Sequence, residues 1–358
     1  MVDEKSFAAE IFEYNRPLKA LGMGGAYLFN VEPQDAPLLN QAELAFLKEI
    51  HWEFFNVGLG VNGIDAYNSS QNFHAIASAS DYSQFYGKRI WVDAFGRTSF
   101  VMPNFGLVAY GDLKSSFNLH NPAFPQFEVT YLNDYGFDIA GANMIGSNLS
   151  FGYGLRRVYR TGGTQNVGLD VIASGSTTAI TDNFKNSGIG FGVDASIEAR
   201  MPGSFAPRFV VAWTDIGDTR FSKTGGSEAP PAIENNLSVG VGSVLDFPGL
   251  DMSAGMEINH IMNSAYSFAQ KLHFGTELSL PLIDIRAGLS QGYPSYGIGF
   301  NLYFMKFDVA YYFTELGAYT GQTPENRIQL GLSFDLSLDA DFSITSKDGK
   351  KRKLKQRR

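Results

Sequence analysis

From Ser187 onward, apolar and polar residues alternate with a period of two. Ile189, Phe191, Val193, Ala195, Ile197 and Ala199 take the odd positions, and Gly190, Gly192, Asp194, Ser196, Glu198 and Arg200 the even ones. A strand sends these two sets to opposite faces. A helix cannot satisfy that period. The alternation recurs over 237–241, 252–258, 272–280, 285–289, 296–302, 307–313 and 328–338. Candidate strands also cover 207–215, 168–173, 148–159, 136–145, 126–132 and 105–112. The total is about fourteen, and two weaker segments, 51–62 and 73–80, would raise it to sixteen. The stretch 81–96 reads equally as an amphipathic helix or a strand pair.

A soluble β-sandwich also alternates, so the period alone does not choose between lipid and core. Three features favour lipid. The apolar faces carry large side chains, the polar faces carry glycine and charged groups, and the connections alternate short and long. Short links fall at 246–250, 281–283 and 303–305; longer ones at 260–270, 291–295 and 314–326. Aromatic residues near strand ends, such as Trp213, Tyr293, Tyr296, Tyr303, Phe304 and Tyr311 to Phe313, suit interfacial girdles. The expectation is an all-β, transmembrane antiparallel β-barrel. Short turns and the C-terminus would then face the periplasm.

Composition narrows the function classes. The 358 residues include 39 Gly and no Cys, and the formal charge is −8. Disulfides and thiolate metal sites are excluded, and nucleic acid is an improbable partner for so acidic a chain. No segment reaches 18 consecutive apolar residues, so no transmembrane helix is expected. The first twelve residues are acidic and lack the apolar core of a secretory signal. Either the protein stays in the cytoplasm or the chain is a mature sequence with an added Met, and the barrel pattern favours the second.

Residues 1–50 do not alternate. The run Gly22-Met23-Gly24-Gly25 allows tight turns and close approach of neighbouring chain, but lacks the spacing of a phosphate loop. A short helix is expected over 41–48. LGMGGAYLFNVEPQDAPLLNQAEL resembles the N-terminal segment of FadL-like and PorV-like outer-membrane barrels. The family's Asn-Pro-Ala-Gly-Leu stands here as Asn40-Gln41-Ala42-Glu43-Leu44, with Gln41 and Glu43 replacing Pro and Gly. GKRIWVDAFGRTSFVMPNFGLVAYG, GIGFGVDASIEARMPGSFAPRFVVAWTDIGDTRF, IRAGLSQGYPSYGIGF and YYFTELGAYTGQTPENRIQLGLSF extend the resemblance across residues 20–335. It implies a barrel of about fourteen strands in the bacterial outer membrane, with the N-terminal segment folded inside as a plug. Gly22, Met23, Gly24, Gly25 and Asn40 are the plug candidates. FadL-like members admit hydrophobic molecules such as fatty acids and release them sideways into the bilayer. PorV-like members serve secretion, motility or surface-attachment complexes as structural subunits.

Three parts are expected: an N-terminal plug over 1–50, a barrel over 51–338 and a basic periplasmic tail over 339–358. The polar faces carry charges of both signs. Glu198, Arg208, Glu257, His273, Glu277, Arg286, Asp308 and Arg327 are candidates for a luminal network, with Arg200, Asp284, Lys306 and Asp335 at its edges. Antiparallel neighbours would bring Glu277 to Arg286 and Asp308 to Arg327. Mixed signs point to ion pairs that fill the lumen and hold the plug, since an ion-selective pore favours a ring of one sign. Met262, Tyr266, Phe268, Leu316 and Tyr319 are loop candidates for capturing an apolar molecule.

An enzyme is not expected. The five His residues (His51, His74, His120, His260 and His273) form no metal motif, and no G-x-S-x-G elbow is present. His273 lies on a polar face without a serine signature beside it. No metal or cofactor is called for. The expected partners are outer-membrane lipid, a hydrophobic ligand and, through the basic KDGKKRKLKQRR tail, other envelope proteins.

Overall fold

The computed structural model describes residues 10–62, 89–120, 126–168, 184–203, 205–302 and 304–339. Its strands are β1 (Glu49–Val61), β2 (Arg89–Met102), β3 (Phe105–His120), β4 (Gln126–Ile145) and β5 (Leu149–Gly168). They continue with β6 (Ser187–Arg200), β7 (Pro207–Thr214), β8 (Phe221–Gly225), β9 (Asn236–Phe247) and β10 (Leu250–Ile258). The last are β11 (Leu272–Ser279), β12 (Ile283–Ser290), β13 (Tyr293–Leu302), β14 (Met305–Glu315) and β15 (Pro324–Asp339). All pairings are antiparallel. β1 bonds to both β2 and β15, and β5 bonds to β6, so the ring of strands closes on itself. Fourteen strands close the barrel.

The fifteenth strand, β8, lies outside that ring. β7 stops at Thr214, where Asp215, Gly217 and Asp218 all have positive φ. Above that point β8 takes over as the partner of β6, pairing Phe221 with Gly190. The two bond to each other where β7 no longer reaches.

The strand count agrees with the sequence reading, but the membership differs. The candidates 126–132 and 136–145 are one continuous strand, β4. Residue 168 ends β5, and 169–173 lie outside the described residues, as does the weaker candidate 73–80. The weak segment 51–62 is β1; of the ambiguous stretch 81–96, residues 89–96 belong to β2 and 81–88 lie outside the described residues. β1 looked weak because its register shifts between Glu53 and Phe55. The bulge leaves Phe54 and Phe55 both exposed and interrupts the alternation.

Outward and inward faces follow the period-two pattern. Phe191, Val193, Leu155, Ile285, Leu289 and Leu330 are exposed, while Asp194, Glu198, His273, Arg286 and Arg327 are buried. That inversion of the usual rule is what a lipid solvent demands. Trp52 stacks on Phe54, and Phe304 packs near Phe334, at the end of the barrel where the turns are short. Tyr312 departs from the girdle expectation. It points inward, buried against Gln329. Tyr303 lies outside the described residues.

Leu330, in β15, is 43% exposed on the outer surface. An arginine there should cost about 2–4 kcal/mol if the position sits near the bilayer midplane. Reversible urea unfolding of Leu330→Arg in phospholipid vesicles measures this, and a change near zero would contradict the assignment of faces.

Candidate functional site

Residues 10–47 pack against the inward-facing side of the strands. After Pro17 comes a short helix, α1 (Leu18–Gly22), ending in Met23, Gly24 and Gly25. Gly24 and Gly25 have φ of +64° and +87°, a region closed to most L-residues. The second requirement is space. A methyl group on Gly22 would lie 2.9 Å from the Gly297 Cα. Met23 is fully buried, and its backbone crosses β11 and β12 at Gly275 and Gly288. At Gly288 a Cβ would stand 2.4 Å from the Met23 carbonyl carbon. The glycines of the polar faces thus form a bed for the plug backbone. A similar niche, Gly242 with Gly255, receives the Phe29 ring.

Polar anchors fix the plug at several heights. The backbone N–H groups of Tyr27 and Leu28 donate to one Glu257 oxygen at 2.8 and 2.9 Å. Asn40, fully buried, donates to Glu198 at 2.7 Å and to the Leu28 carbonyl. A 3₁₀ helix spans Gln41–Phe46, with Gln41 donating to the Pro37 carbonyl and Glu43 paired with Arg200. This 3₁₀ helix stands where a helix over 41–48 was expected. Arg208 donates to the Phe29 carbonyl at 3.2 Å.

Charge pairs run between wall and plug. Lys19 of α1 lies 2.8 Å from Glu277, and Lys306 lies 2.7 Å from Glu32. Arg286 joins Glu277, Asp284 and Asp308. The pairing of Glu277 with Arg286 follows the strand register. The expected Asp308–Arg327 pair does not form. Register sets Asp308 opposite Gly331, so Asp308 turns to Arg286. Arg327 instead pairs with Glu325 and, at 2.6 Å, with Glu10 of the plug.

His273 Nδ1 sits 2.8 Å from the Gly24 carbonyl, so that nitrogen carries the proton. Ser290 Oγ, 3.3 Å from the same atom, meets a donor and not a base. The pair ties the plug and is not set up for nucleophilic attack.

The sequence reading missed half of the network. Asp35 of the plug pairs with Arg97, which also reaches Glu53. Arg156 gathers Asp138, Asp194 and Asp215 at 3.0, 3.2 and 2.8 Å. Arg160 pairs with Asp134 at 2.6 Å and lies over the Tyr14 ring. A signal was available for the last two. Asp134 and Asp138 are four apart, as are Arg156 and Arg160, and the β4–β5 hairpin matches them one to one.

The loop candidates fall into two groups. Met262 and Phe268 are exposed on the β10–β11 connection, and Tyr319 is exposed on the β14–β15 connection. Leu316 is half-buried, and Tyr266 is half-buried with its edge against His260. Gln270 ties the two loops by donating to the Gly317 carbonyl at 3.1 Å. Ile261, also exposed, belongs with Met262 and was not anticipated.

Two cavities flank the N-terminal segment. One, about 910 Å³ with open solvent included, lies against β2, β3, β14 and β15 and is lined by charged residues such as Asp93, Lys114 and Arg327. The other, about 750 Å³ on the same measure, lies against β7, β9 and β10.

Solved structures share this architecture. The CymD monoaromatic hydrocarbon channel aligns over 89% of this chain and 97% of its own, with a TM-score of 0.52 and 12% identity. The toluene transporter TbuX of Ralstonia pickettii aligns over 88% and 97%, with a TM-score of 0.52 and 10% identity. The toluene transporter TodX of Pseudomonas putida aligns over 89% and 97%, with a TM-score of 0.51 and 12% identity. The fold is FadL-like. No family model and no curated sequence matches this chain.

In this FadL-like barrel, the glycine bed gives a direct test. Gly288→Ala should unseat the plug and cost about 1–3 kcal/mol, the usual range for overpacking. Gly96→Ala, where the nearest atom is a Val57 carbon at 3.8 Å, serves as the neutral control. Hydrogen–deuterium exchange over 18–30 should rise only in the first variant; equal exchange in both would refute the close approach.

The Glu10 clamp should respond to acid. Burial alone would raise the Glu10 carboxyl, but Arg327 and Arg89 around it hold it at about 2. A lowered pKa contributes stability above the unfolded value of 4.5, and that contribution fades as pH falls toward 2. Protection of the 10–16 peptide from exchange should therefore exceed that of Glu10→Gln at pH 7. The difference should shrink below pH 4.5 and vanish near pH 2. A difference independent of pH would rule out the ionic clamp.

Proposed function

We propose that this chain is a channel of the bacterial outer membrane for small hydrophobic compounds. The observation that carries the reading is a FadL-like barrel plugged by its own N-terminal segment, with cavities between that segment and the wall. Three structural neighbours, a monoaromatic hydrocarbon channel and two toluene transporters, support the substrate class. Exposed Ile261, Met262, Phe268 and Tyr319 supply an apolar first contact at the loop end. The wall below is crowded with paired charges, so an apolar molecule gains nothing by following the axis past the plug. Displacement of the plug around Gly22 to Gly25, followed by escape through the wall, is the route that avoids those charges. No metal or redox cofactor enters this scheme.

A second reading, a non-transporting subunit of an envelope complex, draws on the same inward packing. Ion pairs from Glu10 to Glu43 fasten the plug at many points, as a purely structural barrel would tolerate. The basic tail, outside the described residues, would be its docking arm.

Uptake and native mass spectrometry separate the two. Cells with a lipopolysaccharide outer leaflet should take up radiolabelled toluene faster when they carry this chain than when they carry an empty vector. Native spectra should then show the chain alone or with a small hydrophobe. No gain in uptake, together with a stoichiometric complex with other envelope proteins, would overturn the channel in favour of the structural subunit.

A further inference from the structure

The outer wall carries two arginines among apolar residues. On β5 the outward residues climb from the short-turn end as Leu149, Phe151, Tyr153 and Leu155, and the next is Arg157. Its cross-strand neighbours are Phe137 on β4 and Phe191 on β6. Phe191 is 70% exposed and Leu155 63%. Thr219 and Phe221 are buried, so Arg220 between them faces out, and it is exposed. Phe221 pairs with Gly190, and the next rung sets Arg220 beside Phe191. One row of the wall therefore reads Arg157, Phe191, Arg220 across β5, β6 and the approach to β8. Its two arginine backbones stand about 10 Å apart, two strand spacings.

The row lies at the upper border of the apolar surface. Arg157 is eight residues beyond Leu149. At about 3.3 Å per residue and a tilt of roughly 40°, that is about 20 Å above the short turns, in an apolar band of about 25 Å. One rung higher, the rings of Tyr135 and Tyr159 lie 4.8 Å apart, as an interfacial girdle would. Beyond them the outward row is polar: Asn133, Thr161 and Ser187. With the short turns in the periplasm, this border is the outer leaflet. An arginine on the lipid face is costly at mid-bilayer and nearly neutral at the interface, where headgroups meet it. Among the described residues neither arginine forms an ion pair or a hydrogen bond. Asp218, close to Arg220, has its Oδ1 engaged by the Asn235 backbone N–H and side-chain amide at 3.0 and 2.8 Å. A barrel that pairs nearly every described inner charge thus leaves these two open to the membrane.

We propose that this row binds the phosphorylated headgroup of an outer-leaflet glycolipid. Each guanidinium offers a planar fork of donors that matches phosphate oxygens. The bare Phe191 ring between the two would carry the first acyl carbons. The site is continuous with the lipid-facing wall, so a lipid reaches it without leaving its leaflet. A zwitterionic phospholipid suits it less well, because its amine would meet the same two cations. The inference needs only the outward wall and holds whether or not the barrel conducts.

Native mass spectrometry of the full chain in detergent tests it. The probes are diphosphoryl lipid A, the same lipid stripped of both phosphates, and inorganic phosphate. Diphosphoryl lipid A should bind the wild type at least tenfold more tightly than either of the others. The double variant Arg157→Gln/Arg220→Gln should bring it down to the level of the stripped lipid. Lys48→Gln, at an exposed lysine beside the short turns, should leave it within about twofold. Heat-modified gel mobility checks that each variant is a folded barrel. Equal binding of the phosphorylated and stripped lipids, or no change in the double variant, would overturn the site. So would inorganic phosphate binding as tightly as the lipid, or a loss in Lys48→Gln as large as in the double variant. Toluene uptake by cells reports on the channel reading by itself, so either inference can fail alone.

Discussion

A strand in lipid has no water to bond with, so every backbone N–H and C=O must find its partner in another strand. Closure of the sheet meets that requirement here, and β5–β6 is the joint that completes it. Everything else follows from the closed ring. One face of each strand has to suit acyl chains, and the other is committed to an interior whose width is set by the number of strands. In this chain residues 10–47 pack against that inner face. Glycines on the inner face make that packing feasible, because the plug backbone lies too close to β11, β12 and β13 for side chains to intervene.

Where residues 10–47 pack against the wall, they displace water that would otherwise solvate the inner charges. Each must then meet a counter-charge or a backbone dipole, and nearly all those described do so. Buried ion pairs contribute little net stability, because desolvation offsets most of the attraction. Their value is positional. Removing one partner strands the other in a poorly solvating interior, so the plug has one favourable seat and few half-seated alternatives. Arg286, joined to three carboxylates, and Arg97, joined to the plug and the wall, exemplify this.

The architecture was legible in the sequence wherever alternation was strict. From β6 to β15 the outward residues are large and the inward ones are glycine or charged, and the faces could be read residue by residue. Legibility failed where local geometry broke the period. The bulge at Glu53 turned two adjacent phenylalanines outward and hid β1. β4, with 20 residues, is about twice the length a membrane strand needs, so its polar stretch near Asn133 looked like a turn. The candidate site was legible only in part. Glycine and charge on the inner faces announced a crowded lumen, and the glycines at 22–25 announced close approach. Which groups meet depended on contacts such as Asn40 with Glu198, more than 150 residues apart, and no local pattern encodes those. The Asp308–Arg327 expectation failed for a related reason: strand order was right, but the offset between the two strands was not.

The Asp134–Arg160 and Asp138–Arg156 pairs have a bearing on how the wall assembles. Period-two patterning forbids a slip of one residue between neighbouring strands, since that would turn the greasy side inward. It says nothing against a slip of two, which keeps each face correctly directed. The two matched pairs, spaced four residues apart on both β4 and β5, forbid that slip as well. Displaced by two, all four charged groups would face neutral partners in a dry interior. The longest hairpin of the barrel thus carries its own ruler, and neighbouring strands can be laid down against an edge already fixed.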